Sequence, residues 1–308
     1  MEKKILAAID GSIFSSNSLD YLIRLFAGDP DFSVDLLGVV SSAGSDQNWM
    51  FEVDPLRDRN PAMEAKTRVA MKYLQDAKQR LLRNGFSEKQ VNIRTESSHA
   101  DIGKTIYFTA LQGKYDGLLI GRRGIGKVGE MFFGSVSASL VEICHEVPLW
   151  IIDGDITRTR FLLAVHALPA SLLAADHLAF ILRGNTRVEI LLYHSMNIFG
   201  EGGYGQAEDF YDQWGKQWCE QHLDLDNHLF GAHVQVLLEG GIRQEQIHQL
   251  PVQKDVNTSH DLLRQAREHL CGTIVLGRRG RQVNKGWFGG VSDRTMNKAQ
   301  NQAIWLVG

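Results

Sequence analysis

The stretch "LLIGRRG" at residues 118–124 returns as "IVLGRRG" at 274–280, 156 positions later. The same offset lays "KKILAAID" (3–10) on "TRFLLAVH" (159–166) and "LLRNGFSEKQVNI" (81–93) on "LLEGGIRQEQIHQ" (237–249). Further on, "FFGSVS" (132–137) meets "WFGGVS" (287–292) and "PLWII" (148–152) meets "AIWLV" (303–307). These last matches need an offset of 155, so the second copy has lost one residue between Gly280 and Trp287. A steady offset across scattered segments marks a duplication. It confines the chain to two homologous domains, 1–154 and 155–308, joined near Gly154-Asp155.

Within each copy, apolar runs alternate with helical patterns. "ILAAI" is a short continuous apolar run, as expected of a strand buried on both faces. A helix through "SSNSLDYLIRLF" follows, with hydroxyl and Asn side chains to cap its free amides. "VDLLGVV" is a second strand. After a polar loop of about twenty residues (41–62) comes a long helix from Met63 to Arg83, closed by Asn84-Gly85. "QVNIRTE" is a third strand, "IGKTIYFTAL" a helix and "GLLIG" a fourth strand. Ser135–His145 is the last helix and "PLWIID" the fifth strand. This alternation predicts an α/β fold, a five-stranded mainly parallel sheet flanked by helices, in each copy. Ligands of such sheets bind beyond the carboxyl ends of the strands.

Composition removes several function classes. A formal charge of −3 lacks the basic surplus expected of a nucleic-acid or anionic-membrane binder. No apolar run reaches the ~18 residues of a membrane span, and the N-terminus is too short in apolar residues for a signal-peptide core. Three cysteines, Cys144, Cys219 and Cys271, carry no C-x-x-C spacing and fit free thiols in a reducing, cytoplasmic setting.

The loop after the fourth strand carries the chemistry. "GRRGIGKVGEMFFGSVS" (121–137) nearly satisfies G-x-x-x-x-G-K-[ST], but Val128 stands where that loop needs a hydroxyl for magnesium. Gly121 ends a strand, Gly124, Gly126 and Gly129 keep side chains away, and Gly134-Ser135 opens a helix. Amides at a helix start favour an anion. Ser135 can donate a hydroxyl, and Arg122, Arg123 and Lys127 can supply charge. A plain glycine-rich turn explains the same letters.

The spacing G-x-x-G, nine residues, G-[ST], met by Gly121, Gly124, Gly134 and Ser135, resembles the nucleotide loop of the universal stress protein family. "AAID", "LLGVV" and "VPLWII" are similar to the family as well, and the likeness runs through both copies. It implies two tandem domains of the adenine nucleotide alpha hydrolase-like kind. It also implies that Asp10 reads the adenine side of the nucleoside and that Val39 or Val40 packs on the base. Gly121, Gly124, Gly134, Ser135, Val136 and Ser137 would contact ribose and phosphates. The implied ligand is ATP. Magnesium could accompany it, but no dedicated metal ligand is visible. The resemblance further implies antiparallel pairing of the terminal strands "PLWII" and "AIWLV". The chain is then expected to form an intramolecular pseudo-dimer that could pair further as a homodimer, and Trp150→Lys or Trp305→Lys would loosen the interdomain contact.

The second copy departs from the pattern. His166 replaces Asp10, Gly290 replaces Ser135, and Arg278, Arg279, Arg281, Lys285 and Ser292 leave an anion site thinkable without adenine recognition. "GEGGYG" (200–205) spells a dinucleotide fingerprint but lacks the tight strand–helix setting. His222, His228 and His233 do not share a helix face, and no zinc spacing appears. Trp214 and Trp218, at i and i+4, are expected to pack one helix face. Cys144-His145 reads as a packed helix end. The expected function is a nucleotide-binding stress-response regulator acting on an unidentified protein partner, and not an enzyme. The alternatives are a slow ATPase or phosphoryl- or adenylyl-transfer enzyme, with Asp116 or Glu130 as base, and a scaffold that binds nothing.

Overall fold

In a computed structural model, which describes residues 2–41, 61–98, 101–123, 134–197, 205–278 and 290–308, the first apolar run forms β1 (Lys3–Ala8). It pairs in parallel with β2 (Phe32–Ser41) on one side and β4 (Gly117–Gly121) on the other. Beyond these lie β3 (Val91–Ser98) and β5 (Leu149–Ile152), again parallel, giving the order β3-β2-β1-β4-β5. The chain moves outward through β2 and β3 and then returns to the opposite flank of β1. The topological switch point therefore lies between β1 and β4, where such sheets open a crevice.

Four helices connect these strands: α1 (Ile13–Phe26), α2 (Pro61–Arg83), α3 (Ile102–Gln112) and α4 (Ser135–Ile143). Helix α1 starts ahead of the Ser-rich stretch expected to cap it, because Ser12 takes the cap and accepts from Ser15 N–H at 3.3 Å. Helix α2 ends as expected. Gly85 has φ +98°, and the amides of Phe86 and Gly85 bond back to the carbonyls of Leu81 and Leu82, the pattern of a Schellman cap. Helix α4 stops at Ile143, short of His145, and the thiol of Cys144 donates to Val147 O. The polar 41–62 loop lies almost wholly outside the described residues. One acid in the sheet needed a partner. Asp35 of β2 is buried, and it accepts from the hydroxyl of Tyr115 and the amide of Asn92.

The chain divides into two units, Met1–Ile152 and Asp153–Gly308. The second repeats the first, with β6 (Arg160–Ala164), α5 (Pro169–Leu182), β7 (Glu189–Tyr193), β8 (Ser195–Asn197), α6 (Tyr211–Trp214), α7 (Lys216–His222), α8 (Phe230–Glu239), β9 (Ile247–Gln249), β10 (Gln253–Asp255), α9 (Thr258–Glu268), β11 (Thr273–Gly277), α10 (Val291–Lys298) and β12 (Ala303–Val307). Its strand order is β12-β11-β6-β7-β9, all parallel.

Two departures matter. Where β2 runs unbroken, its counterpart halts at Tyr193, skips His194 and resumes as β8, which pairs with β10 in a separate ribbon. On the partner strand, Pro251 has no N–H to continue the ladder, so Leu250 makes its last rung, to Leu192 O. Where α2 is one helix of 23 residues, the second unit has short helices broken at Gly215 (φ +76°), and α8 begins only after the left-handed pair His228 and Leu229. Trp214 and Trp218 thus belong to two helices and do not share one face, although their rings still lie 6.2 Å apart.

Each terminal-strand tryptophan is fully buried and packs on residues of its own unit. Trp150 stacks near Phe26 and touches Gly117, and Trp305 meets Phe161 and His177. A lysine at either position would disrupt that packing, so it cannot report on strand pairing as the sequence suggested. Among the described residues, no helix is long and apolar enough to cross a membrane.

Candidate functional site

At the switch point of the first unit, Ile9 N–H donates to Leu37 O at 2.8 Å, carrying the chain out of β1 beside β2. Asp10 follows, exposed, and one carboxylate oxygen accepts from Ser12 N–H (2.9 Å) and the Ser15 hydroxyl (2.7 Å). These bonds fix the acid on the rim of the crevice. Gly11 has φ +80°, and a Cβ there would lie 2.8 Å from the ring of Tyr73 on α2, so only glycine fits. Sequence reasoning named Asp10 but missed Ser12, Ser15 and Tyr73. The Asp-Gly-Ser-x-x-Ser spacing is itself a turn-and-cap signal that points to the two serines.

On β2 the two valine candidates separate. A Cβ on Gly38 would meet Leu74 of α2 at 3.2 Å, and Val40 shares that covered face by strand alternation. Val40 is buried, while Val39 is half-buried.

Across the crevice, Gly121 ends β4 against the first turn of α1. A Cβ on it would sit 2.8 Å from Phe14 Cβ and 3.0 Å from the Phe14 carbonyl carbon. Arg122 N–H donates to Ile152 O (2.9 Å) and its carbonyl accepts from Gly134 N–H (3.1 Å), so the two described ends of the loop meet. The Arg122 side chain is only 2% exposed, which removes it from the open face where a phosphate ligand was expected. Arg123 is half-buried, its guanidinium 5.6 Å from the centre of the Phe14 ring. Gly124 and Lys127, with Gly126, Val128, Gly129 and Glu130, lie outside the described residues.

Gly134 is the N-cap of α4 and offers no side chain, and Ser135 follows it, exposed. The first intrahelical bond runs from Ala138 N–H to Gly134 O, so the amides of Ser135, Val136 and Ser137 form the first turn that a helix leaves for outside acceptors. Val136 is half-buried. Ser137 is buried and donates to Gly121 O at 3.0 Å. Its hydroxyl hydrogen therefore ties α4 to β4 instead of pointing at a ligand.

The second unit builds the same frame. Gly277 ends β11, Arg278 N–H donates to Val307 O, Gly290 caps α10, and the Ser292 hydroxyl donates to Gly277 O at 3.3 Å. Arg279, Arg281 and Lys285 lie outside the described residues, as does most of "GEGGYG". The mouth differs. His166 stands at the Asp10 position, and His194 takes the Gly38 position. The rings of His166 and His194 are 5.8 Å apart, and His194 stacks on His228 at 3.9 Å. Among the described residues, no group of three His, Cys, Asp or Glu side chains can hold a metal.

Asp116, weighed as a catalytic base, lies at the wrong end of the sheet. It precedes β4 and accepts from Lys4 N–H at 2.8 Å, a strand's length, about 16 Å, from the loop. Burial raises its pKa. The three cysteines form no disulfide and are buried, and burial pushes the Cys271 thiol up to about 12.

Two histidines of the second unit sit in the core. Burial pulls His177 down to about 3 and His233 to about 4. Unfolding frees both to take protons once the pH drops below the ordinary imidazole value of about 6.5. The unfolded chain then binds more protons than the folded one, so stability is lost as pH falls from about 6.5 towards 4. The melting temperature should fall over that window, and His177→Leu should flatten the slope. A pH profile of thermal melting checks this.

The fold thus defines a doubly wound α/β protein whose topological switch point lies between β1 and β4. Residues 1–152 match the family model of the Universal stress protein family, so the first unit belongs to that family. A universal stress protein from Archaeoglobus fulgidus DSM 4304 superposes with a TM-score of 0.65 at 18% identity, over 99% of this chain and 95% of that one. A functionally unknown protein from Pseudomonas aeruginosa PAO1 gives 0.53 at 12% identity, over 99% and 92%. A universal stress protein solved in complex with cAMP covers 49% of this chain and 96% of its own, with a TM-score of 0.34 at 15% identity. No curated protein sequence matches the chain.

Proposed function

We propose that the first unit binds an adenine nucleotide, with ATP as the preferred form, and that its occupancy serves a regulatory role in a stress response. The observation that carries the reading is that an exposed, doubly anchored Asp10 and the open first turn of α4 both lie at the carboxyl ends of the neighbouring parallel strands β1 and β4. A carboxylate can accept from the amine or hydroxyls of a nucleoside, while helix-start amides and the Ser135 hydroxyl suit phosphate oxygens. Val39 adds an apolar contact between them. Membership of the universal stress protein family supports the reading. An enzyme is the second reading. With Asp116 at the far end of the sheet, it would need groups from the loop alone.

The test is direct. Nucleotide released from the purified full-length chain is identified by mass spectrometry, and ATP is then titrated calorimetrically alongside a turnover assay. One ATP per chain, recovered intact, is the expected result. Two equivalent sites would contradict a single competent unit, and multiple turnovers would make the protein an enzyme.

A further inference from the structure

The second unit keeps the frame of the site but fills its mouth with imidazoles. His194 ends the β7 run where the first unit has Gly38, and its Nδ1 bonds Val165 O at 2.8 Å. It is 1% exposed. The ring of His228 lies on it at 3.9 Å with only 12° between the planes. His228 is no ordinary neighbour. It and Leu229 are consecutive non-glycine residues at φ 55° and 62°, a conformation that L residues rarely hold, and they form the step into α8.

We propose that the His194–His228 stack is a proton-operated latch on the start of α8, closed when both rings are neutral and sprung when the pair is charged. Imidazole is the side chain whose ordinary titration falls between pH 5 and 8. Two protons on rings stacked at this distance repel, so the stack cannot keep both. Separating the rings releases His228 from its left-handed pose.

The other titratable and charged groups around the stack set its surroundings. From the β6 side comes His166, a third imidazole 5.8 Å from His194, which adds to the repulsion. From the α8 side comes Asp224, whose carboxylate accepts from the amides of Gly231 and Ala232 and favours a nearby positive charge. His233 of α8 is buried, and its two nitrogens bond Leu229 O and the Ser171 hydroxyl. From α9 come Asp261 and Arg264, paired with each other, with Asp261 also accepting from Tyr193. The acid of that group is already neutralised.

Hydrogen exchange of the full-length protein at pH 7.5 and 5.5, corrected for intrinsic rates, tests the latch. Peptides covering 224–233 should exchange at least tenfold faster at pH 5.5, while β11 peptides change much less. His228→Asn removes the titrating ring but tolerates the left-handed pose, and should abolish the local pH step while the protein stays folded. A step that survives in His228→Asn belongs to His166 or His233 and overturns the proposal. So does a wild-type protein whose 224–233 exchange is indifferent to pH.

Discussion

Gly277→Ala will cost the second unit about 3 kcal/mol or more of stability, beyond the usual overpacking penalty. The Cβ would lie 2.2 Å from Ala170 O, 2.4 Å from the Ala170 carbonyl carbon and 2.6 Å from Ser171 N. All three atoms are backbone in the first turn of α5, so no rotamer change can relieve the overlap. For a unit of this size, that loss corresponds to a fall of roughly 6–12 °C in melting temperature. Gly121→Ala meets the same turn of α1 less severely, at 2.8 Å from the Phe14 side chain and 3.0 Å from its backbone, and should cost less. Gly290→Ala is the control, because its φ is −84° and its Cβ would meet only Asp293 Oδ2, at an ordinary 3.6 Å. Calorimetric melting of the three variants gives the ranking. A Gly277→Ala protein that melts with the wild type would mean that β11 does not rest on α5 this closely.

This expectation revises what the glycine motif says. The resemblance presents Gly121, whose counterpart in the second copy is Gly277, as a ligand contact, because phosphates need room. The structure gives both a prior duty, close passage of a strand end over the next helix, and that duty is met in the unit with His166 at its mouth as well. Ser137 and Ser292 behave alike, each donating to the glycine carbonyl that ends its strand. Part of the repeated motif is therefore a signature of the frame, which is why it survives in both copies.

The strands of the first unit, its helices and the α2 cap were legible because apolar runs, cap residues and Asn-Gly act locally. What escaped depends on long-range packing. The burial of Arg122, the different burial of Val39 and Val40 and the Tyr73 ring over Gly11 are set by elements distant in sequence. The break at His194 and the split of the Trp214–Trp218 segment escaped for another reason. An i, i+4 spacing carries no sign that Gly215 takes φ +76° between the two rings. Asp116 misled because its nearness to the loop in sequence spans the whole length of β4.

Asp10→Ala combined with Ser135→Leu should lower ATP affinity by about a hundredfold, roughly tenfold for each change, or ~1.4 kcal/mol apiece. The two act at opposite ends of the crevice. Asp10→Ala removes the acceptor for the nucleoside and also frees Ser12 N–H and the Ser15 hydroxyl, a loss of cap-like bonds worth about 1 kcal/mol of stability. Ser135 is exposed at the first turn of α4, so leucine there has room in the folded protein but covers the helix-start amides. The ligand series separates the effects. Tripolyphosphate binding should weaken in Ser135→Leu and hold in Asp10→Ala, whereas adenosine should show the reverse. If the losses in ATP affinity add, the two ends act independently on one ligand. Undiminished ATP binding by the folded double variant would remove the crevice from the site altogether, whatever else the chain binds.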